Sequence, residues 1–205
     1  MFTITAATAE QLRELADRLH TVYRQCFAAP PWNETPDEIA AYPRQLARQT
    51  GHPGAHGFVA EDEHGEIAGA VYGWPAPPRL PENNEYDLAV RDAVGPDAAG
   101  LLVEPAVLVA ELMVAPAHRR RGLGRMLLAR YTAGHPRAWL ATHPQAEAVA
   151  LYEAEGWIRR AAYIVGRKPF VLYTREATIA RHIVAGGGMF ATPLPPDRRP
   201  RRRPY

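Results

Sequence analysis

The stretch Glu111-Leu112-Met113-Val114-Ala115-Pro116-Ala117-His118-Arg119-Arg120-Arg121-Gly122-Leu123-Gly124-Arg125 is the most informative part of the 205-residue chain. The apolar run 107–114 predicts a buried strand that ends in a turn at Pro116. Apolar residues then resume at helical spacing over 122–131. Two features of this junction are costly. Three consecutive arginines stand where a helix already presents the positive end of its dipole. Two glycines in the first turn cost about 1 kcal/mol each against alanine. An anion docked at the junction resolves both, because exposed N–H groups point at it, glycine lets the backbone approach, and arginine adds charge-assisted bonds. Residues 112–137 hold six arginines and no acid, which sets this segment apart from an ordinary solvated face. We therefore expect a phosphate site built from Arg119, Arg120, Arg121, Gly122, Leu123, Gly124 and Arg125.

Working outward toward the N-terminus, residues 2–6 predict a short strand. Thr8 and Gln11 match a capping box, and Leu12, Leu15, Leu19, Val22, Tyr23, Cys26 and Phe27 follow at helical spacing until Pro30-Pro31. Cys26 lies on the apolar stripe and reads as a buried, inert thiol. A second helix is expected over 36–49, and a hairpin of strands at 58–62 and 67–74 turning at His64-Gly65. Residues 78–100 read as irregular, with a short helix near 87–94; so long a connection inside a domain points to function or mobility. Toward the C-terminus a strand is expected at 138–141. A helix opened by Pro144 in its first turn and closed by Gly156 follows, then strands at 157–165 and 170–174. The order is mixed α/β. We expect one domain over 1–176 and a C-terminal extension over 177–205, which contains Gly186-Gly187-Gly188 and a Pro/Arg tail.

Composition narrows the function classes. Hydrophobic residues make up 47% and charged residues 22%, which excludes wholesale disorder. No apolar run approaches the roughly 18 residues of a membrane span, and the N-terminus does not read as a signal peptide, so a cytoplasmic protein is expected. Cys26 is the only cysteine and the eight histidines are scattered, so no metal site is expected. The formal net charge is +2, yet five arginines lie beyond residue 196. Without that end, 19 cations face 21 anions. The folded part is not a basic nucleic-acid domain. Of the 24 cations 23 are arginine, and Lys168 is the one lysine.

Arg119-x-x-Gly122-x-Gly124, preceded by Leu112-Met113-Val114-x-Pro116, resembles the acetyl-CoA motif of the GNAT superfamily of N-acetyltransferases. A second signature follows at the right distance: Gln145-x-x-Ala148-x-x-Leu151-Tyr152-x-x-x-Gly156-Trp157 is similar to that family's Asn-x-x-Ala-x-x-Leu-Tyr-x-x-x-Gly-Phe. The resemblance spans about residues 2–175. It implies a central, mostly antiparallel twisted sheet of about six to seven strands flanked by about four helices. A splayed strand pair in that sheet would receive acetyl-CoA. The backbone of Leu112, Met113 and Val114 would pair with the pantetheine arm, and 119–124 with Arg125 would hold the pyrophosphate. Gln145 and His143-Pro144 depart from the usual Asn and Asn-Pro, so His143 stands where the family makes a polar contact to the cofactor arm. Family members often pair through late strands, which leaves a homodimer open.

The implied reaction is direct acetyl transfer from the thioester to a primary amine. It needs a base for the amine, an oxyanion stabiliser and a donor for the departing sulfur. Tyr152 matches the family's tyrosine that protonates or polarises that sulfur. Glu111 is the general-base candidate: alternation places it in phase with Val107, Val109 and Met113, and a carboxylate on an apolar strand face demands a purpose or a partner. A salt bridge to a neighbouring arginine is the structural alternative. For the acceptor, Trp32 and Glu34 follow the first helix, and Glu82 and Glu85 belong to the segment 79–100, whose net charge is −3. Such acidity favours a cationic small-molecule amine such as an aminoglycoside-like antibiotic, a polyamine or an amino-sugar metabolite. A peptide or protein acetyltransferase and a non-catalytic acyl-CoA-binding module are the rival readings.

Overall fold

The computed structural model describes residues 1–177; residues 178–205, with the arginine tail and nearly all of the expected extension, lie outside the described residues. The chain opens with β1 (Thr3–Thr8). Thr8 and Gln11 form the expected reciprocal capping box. The helix it starts is not continuous, because α1 (Ala9–Glu14) and α2 (Ala16–Phe27) meet at Leu15. The second expected helix is likewise split into α3 (Pro36–Ala40) and α4 (Tyr42–Gln49). Pro43 explains the break, since it lacks an N–H for the preceding turn and crowds the residue before it.

The hairpin forms as β2 (His56–Glu61) and β3 (Ile67–Pro75). Beyond it the expectation of a mainly irregular segment fails. α5 (Glu85–Ala99) is capped by Asn84, which accepts from the Asp87 N–H at 3.0 Å, and is kinked at Gly95-Pro96. The kink pair and weak amphipathicity hid a helix of that length. There follow β4 (Ala106–Val114), a 3₁₀ turn (Pro116–His118), α6 (Leu123–Thr132) and β5 (Arg137–Thr142). Pro144 does not open the next helix; it lies in a turn, and α7 (Ala148–Ala154) begins four residues later. Gly156 does close it: with φ +76°, it lets Trp157 N–H reach Tyr152 O at 2.9 Å while its own N–H reaches Glu153 O at 3.1 Å. β6 (Ile158–Val165) and β7 (Lys168–Glu176) form the final hairpin.

The sheet has seven strands in the order β1-β2-β3-β4-β5-β7-β6. Every neighbouring pair is antiparallel except β4 and β5. Alternate side chains sort to opposite faces. On one face α1, α2 and α4 pack Leu12, Leu19, Tyr42 and Leu46 against Tyr72 and Met113. The other face packs Leu123, Leu127 and Leu128 of α6 against Val71, Val107, Val109 and Leu140. A third cluster, under α5, joins Val90 and Leu102 to Leu108, Trp139 and Leu172. Because Leu108 and Trp139 alternate with residues of the α6 face, α5 lies on the same face as α1, α2 and α4. A slot remains between those two groups of helices, over the β4–β5 junction.

Candidate active site

The parallel seam between β4 and β5 is short. Ala106, Val107 and Leu108 pair with Arg137, Ala138 and Trp139, and from Val109 onward β4 pairs only with β3. The two strands therefore diverge toward their C-terminal ends and leave one edge of β4 open. That is the splayed pair expected from the sequence.

The β3–β4 register skips a residue where Tyr72 faces Glu111 and Gly73 faces Val109, so Ala110 is the extra residue of a bulge. Gly73 is required there. A Cβ at this position would lie 1.9 Å from Leu108 O and 2.9 Å from Ala110 N. The bulge corrects the expected phase of β4. Val107 and Val109 face α6, whereas Glu111 shares the α2/α4 face with Met113. Glu111 thus leaves the apolar row and points into the slot.

No cation pairs with Glu111 among the described residues, so the salt-bridge alternative is not what the structure places there. Its Oε1 instead accepts from Gln45 Nε2 at 2.9 Å. Burial, with the nearby Glu34 carboxylate, raises its pKa to about 8 despite the opposing hydrogen bonds of Gln49 and Gln45. Glu34 is itself held: Tyr23 Oη donates to it at 2.8 Å and Lys168 Nζ at 3.1 Å. Lys168 also reaches Glu38 at 2.9 Å. Burial pulls the ammonium pKa down, but the two carboxylates more than offset this and raise it. Gln45, Gln49, Tyr23 and Lys168 were missed by sequence reasoning. Two signals could have found them: glutamines four apart on one helix face, and the single lysine of the chain.

Glu111, Leu112, Glu34, Trp32, Lys168 and Tyr152 all line one cavity of about 310 Å³ in the splay, closed on the β5 side by residues 140–142. Tyr152 is 4% exposed, and its ring packs on Trp157 (5.9 Å) and Tyr173 (5.8 Å). The packing and cavity-lining roles coexist. Burial first, then the Glu111 and Tyr173 charges, raises its phenol well above the usual value, so it is a firmly neutral donor. Trp32 is wedged among Phe27, His143 and Phe170. His143 is buried, its pKa is lowered by desolvation, and its Nδ1 accepts from the Gln145 N–H at 3.1 Å. The Met113 side chain is core, so only its backbone is available to a ligand. Cys26 is partly buried, not fully buried as expected, its thiol pKa raised by burial and its Sγ directed to Val114 O at 3.4 Å.

At the open end of the splay, the chain from the 3₁₀ turn to α6 is folded around left-handed residues. Arg120 has φ +60° and Gly122 has φ +78° as the N-cap of α6. Only the glycine takes this conformation without strain, so Arg120 is a strained residue of the kind that clusters at ligand sites. The first helical bond is Met126 N–H to Gly122 O. Among the described residues, no protein acceptor meets the N–H groups from Arg120 to Arg125. Such a run of free donors at a helix N-terminus is an anion cradle. The arginine side chains divide their tasks. Arg119 Nε donates to Val114 O at 3.2 Å and Nη1 to Glu147 at 3.3 Å, bracing the loop. Arg121 lies 4.6 Å over the Phe2 ring, and Arg125 pairs with Glu155 at 2.7 Å. Arg120 is exposed.

Two expected acceptor residues are not brought to the cavity. Glu82 pairs with Arg91 at 2.8 Å, and Glu85 accepts from the Gly166 N–H at 3.1 Å. Asp92 also turns to Arg91, at 3.0 Å. Glu82, Glu85 and Asp92 are thus engaged by Arg91 and the β6–β7 turn and line neither the cavity nor its surroundings in the slot.

The sequence pattern of the acetyltransferase (GNAT) family matches residues 12–157. None of the curated proteins matches the chain. Among solved structures, a GNAT-family acetyltransferase from Desulfovibrio desulfuricans is similar over 86% of this chain and 99% of its own, with 18% identity and a TM-score of 0.58. The ribosomal-protein-S18-alanine N-acetyltransferase of Escherichia coli is similar over 90% and 99%, with 17% identity and a TM-score of 0.57. The PaiA N-acetyltransferase of Thermoplasma acidophilum, solved in complex with coenzyme A, covers 84% and 98% at 12% identity and a TM-score of 0.52. With the family pattern spanning most of the chain and the fold in agreement, the chain belongs to the GNAT family of acetyltransferases and is an acyltransferase.

Proposed function

We propose that the protein transfers an acetyl group directly from acetyl-CoA to the primary amine of a small molecule. The observation that carries this reading is the single cavity in the β4–β5 splay, which Glu111 and Tyr152 line together. The residues present fit the donor. The free N–H groups of Arg120 to Arg125 suit its pyrophosphate, and the open edge of β4 offers the backbone of Leu112 and Val114 to the amides of its arm. Acetyl-CoA supplies the activated acyl group; this chain's residues prepare the amine and stabilise the charges that develop.

Glu111 is the group that takes the amine proton, directly or through a water held with Gln45. A pKa of about 8 keeps it a useful base without making it permanently charged in a buried place. Tyr152 lies on the other side of the cavity. Its raised pKa makes complete proton donation to a thiolate of pKa near 8.5 unfavourable. It therefore polarises the departing sulfur by hydrogen bonding and stays a phenol. Lys168 fixes Glu34 beside the cavity and limits how much negative charge Glu111 faces.

α5 and the loop before it wall the acceptor side, which favours a small molecule over a peptide laid along an open groove. The deciding experiment is turnover of an amine panel with acetyl-CoA, comparing the parent with Tyr152→Phe. Acetyl-CoA binding without turnover of any amine, unchanged by Tyr152→Phe, would sink the reading.

A further inference from the structure

A second chamber, of about 1050 Å³, opens beside the reaction cavity, and the two share Gln45, Gln49, Tyr86, Val109, Ala110 and Ala141. It occupies the slot between α4 and α5, above the β4–β5 seam. Its size decides something. Ligand sites for whole drug-sized molecules run to about 1,000 Å³, so this space is far larger than an ammonium group or a short aliphatic amine requires.

The walls are apolar and aromatic. Trp74, Trp139, Leu80, Val90 and Tyr86 contribute, and a proline-rich run, 75–81, closes one side. Trp74 is held rigid by stacking on His52, with ring centroids 4.0 Å apart and an interplanar angle of 6°. The charge at the walls does not suit a polycation. Asp87 is occupied at the start of α5, accepting from the Asn84 side chain at 2.8 Å and the Asn83 N–H at 3.3 Å. Glu104 has Arg48 and Arg79 as counterparts on the same chamber, and neither arginine has an acidic partner among the described residues. Glu82, Glu85 and Asp92, which could have drawn a second ammonium, are paired elsewhere. Asp87 and Glu104 on the walls are matched in number by the exposed Arg48 and Arg79, so a second positive charge on the acceptor would gain no net attraction there.

We infer that the acceptor is a monoamine carried on a bulky apolar, aromatic body, with its amine at Glu111 and its body in the chamber between α4 and α5. This rests on the acetyl-transfer reading and adds its substrate class. It also replaces the polyamine or amino-sugar expectation, which came from acidic residues that the fold turns away. The chamber continues the reaction cavity at Val109 and Ala110, so a body lying there leaves only its amine to reach the splay.

The test compares 4-phenylbutylamine with spermidine as acceptors, in parent and Leu80→Asp protein, alongside quenching of tryptophan fluorescence by each amine. Leu80 is half-exposed in the loop before α5, so a charge is tolerated by the fold yet intrudes on the chamber. The aromatic amine should have at least about tenfold higher kcat/KM, the gain expected from burying a phenyl group. It should also quench fluorescence saturably, through Trp74 and Trp139. Leu80→Asp should raise its KM about tenfold and leave the KM for acetyl-CoA in place; Leu80→Ala should fall between. A preference for spermidine, or an unmoved KM in Leu80→Asp, would overturn the inference while leaving acetyl transfer standing. Saturable quenching that Leu80→Asp weakens, with no turnover of either amine, would overturn acetyl transfer and leave the chamber's ligand class supported. Absence of quenching by 4-phenylbutylamine would overturn the inference outright.

Discussion

At the scale of single residues, Glu111 links function and stability with opposite signs. Its pKa near 8 means that kcat/KM rises with pH as the carboxyl ionises and levels off above that value. Glu111→Gln should lower kcat/KM by about 10²–10³ and remove the inflection near pH 8, leaving only the titration of the amine substrate; a pH–rate profile of both proteins checks this. Stability runs the other way. The folded-state pKa lies above the unfolded value of about 4.3, so folding holds the proton more tightly, and stability falls as pH rises from there to about 8. Glu111→Gln should therefore be more stable than the parent at pH 9, by about 2–4 kcal/mol, with the gain vanishing at pH 4. Denaturant unfolding at the two pH values measures it. Tyr152→Phe should lower kcat roughly 10- to 100-fold with little change in coenzyme A affinity, because the lost hydroxyl acts on charge that develops only during reaction.

Glu111 and Tyr152 were candidates from the sequence, and both line the cavity. Gln45 and Lys168 were not, because the contacts that matter are made 66 and 134 residues away along the chain. The supporting argument for Glu111 failed in its detail. Strict alternation put it in the row of Val107 and Val109, whereas one extra residue, Ala110, reverses the face. A bulge leaves no trace in a strand's own hydrophobicity, and the partner glycine that permits it lies on another strand.

At the scale of elements, the strand-to-helix junction between β4 and α6 was the most readable part of the chain, since its apolar run, Pro116 and the glycines mark the strand end and the helix start locally. Gly122→Val should raise the Kd for coenzyme A at least tenfold, because a β-branched residue resists φ +78° and the loop must re-form. Isothermal titration tests it, with circular dichroism confirming that the helix content is kept. Gly73→Ala probes the bulge itself. The added methyl would overlap Leu108 O, so either the strand straightens or stability falls by about 3 kcal/mol or more. Unfolding curves and acetyl transfer should suffer together. Three of the misread helices share one cause: Pro43, Pro96 and Pro144 each restart, kink or precede a helix in a way that sequence alone assigns to the wrong side of the break.

At the scale of the whole molecule, one seven-stranded sheet runs through the fold; three residue pairs of parallel ladder join β1–β4 to β5–β7 within it, and the clusters under α6 and α5 pack across that seam. The strand order was not readable, because β7 inserts between β5 and β6 and nothing local marks that choice. Coenzyme A bound in the splay would lie across that seam. At a hundred times its Kd it should add about 2.7 kcal/mol and raise the melting temperature accordingly; a thermal-shift titration that shows no rise would contradict a site in the splay.

The short ladder has a further consequence. Past Leu108, β4 leaves a row of peptide groups without a partner on its β5 side, in the middle of the sheet and not at its rim. Those amides are held in reserve as hydrogen-bonding capacity. In the ligand-free enzyme they should trade hydrogen for deuterium quickly although they lie near the centre of the structure, and slow down when coenzyme A arrives. The most central strand of the sheet would then be half rigid ladder and half solvent-reporting edge, with the boundary at Leu108.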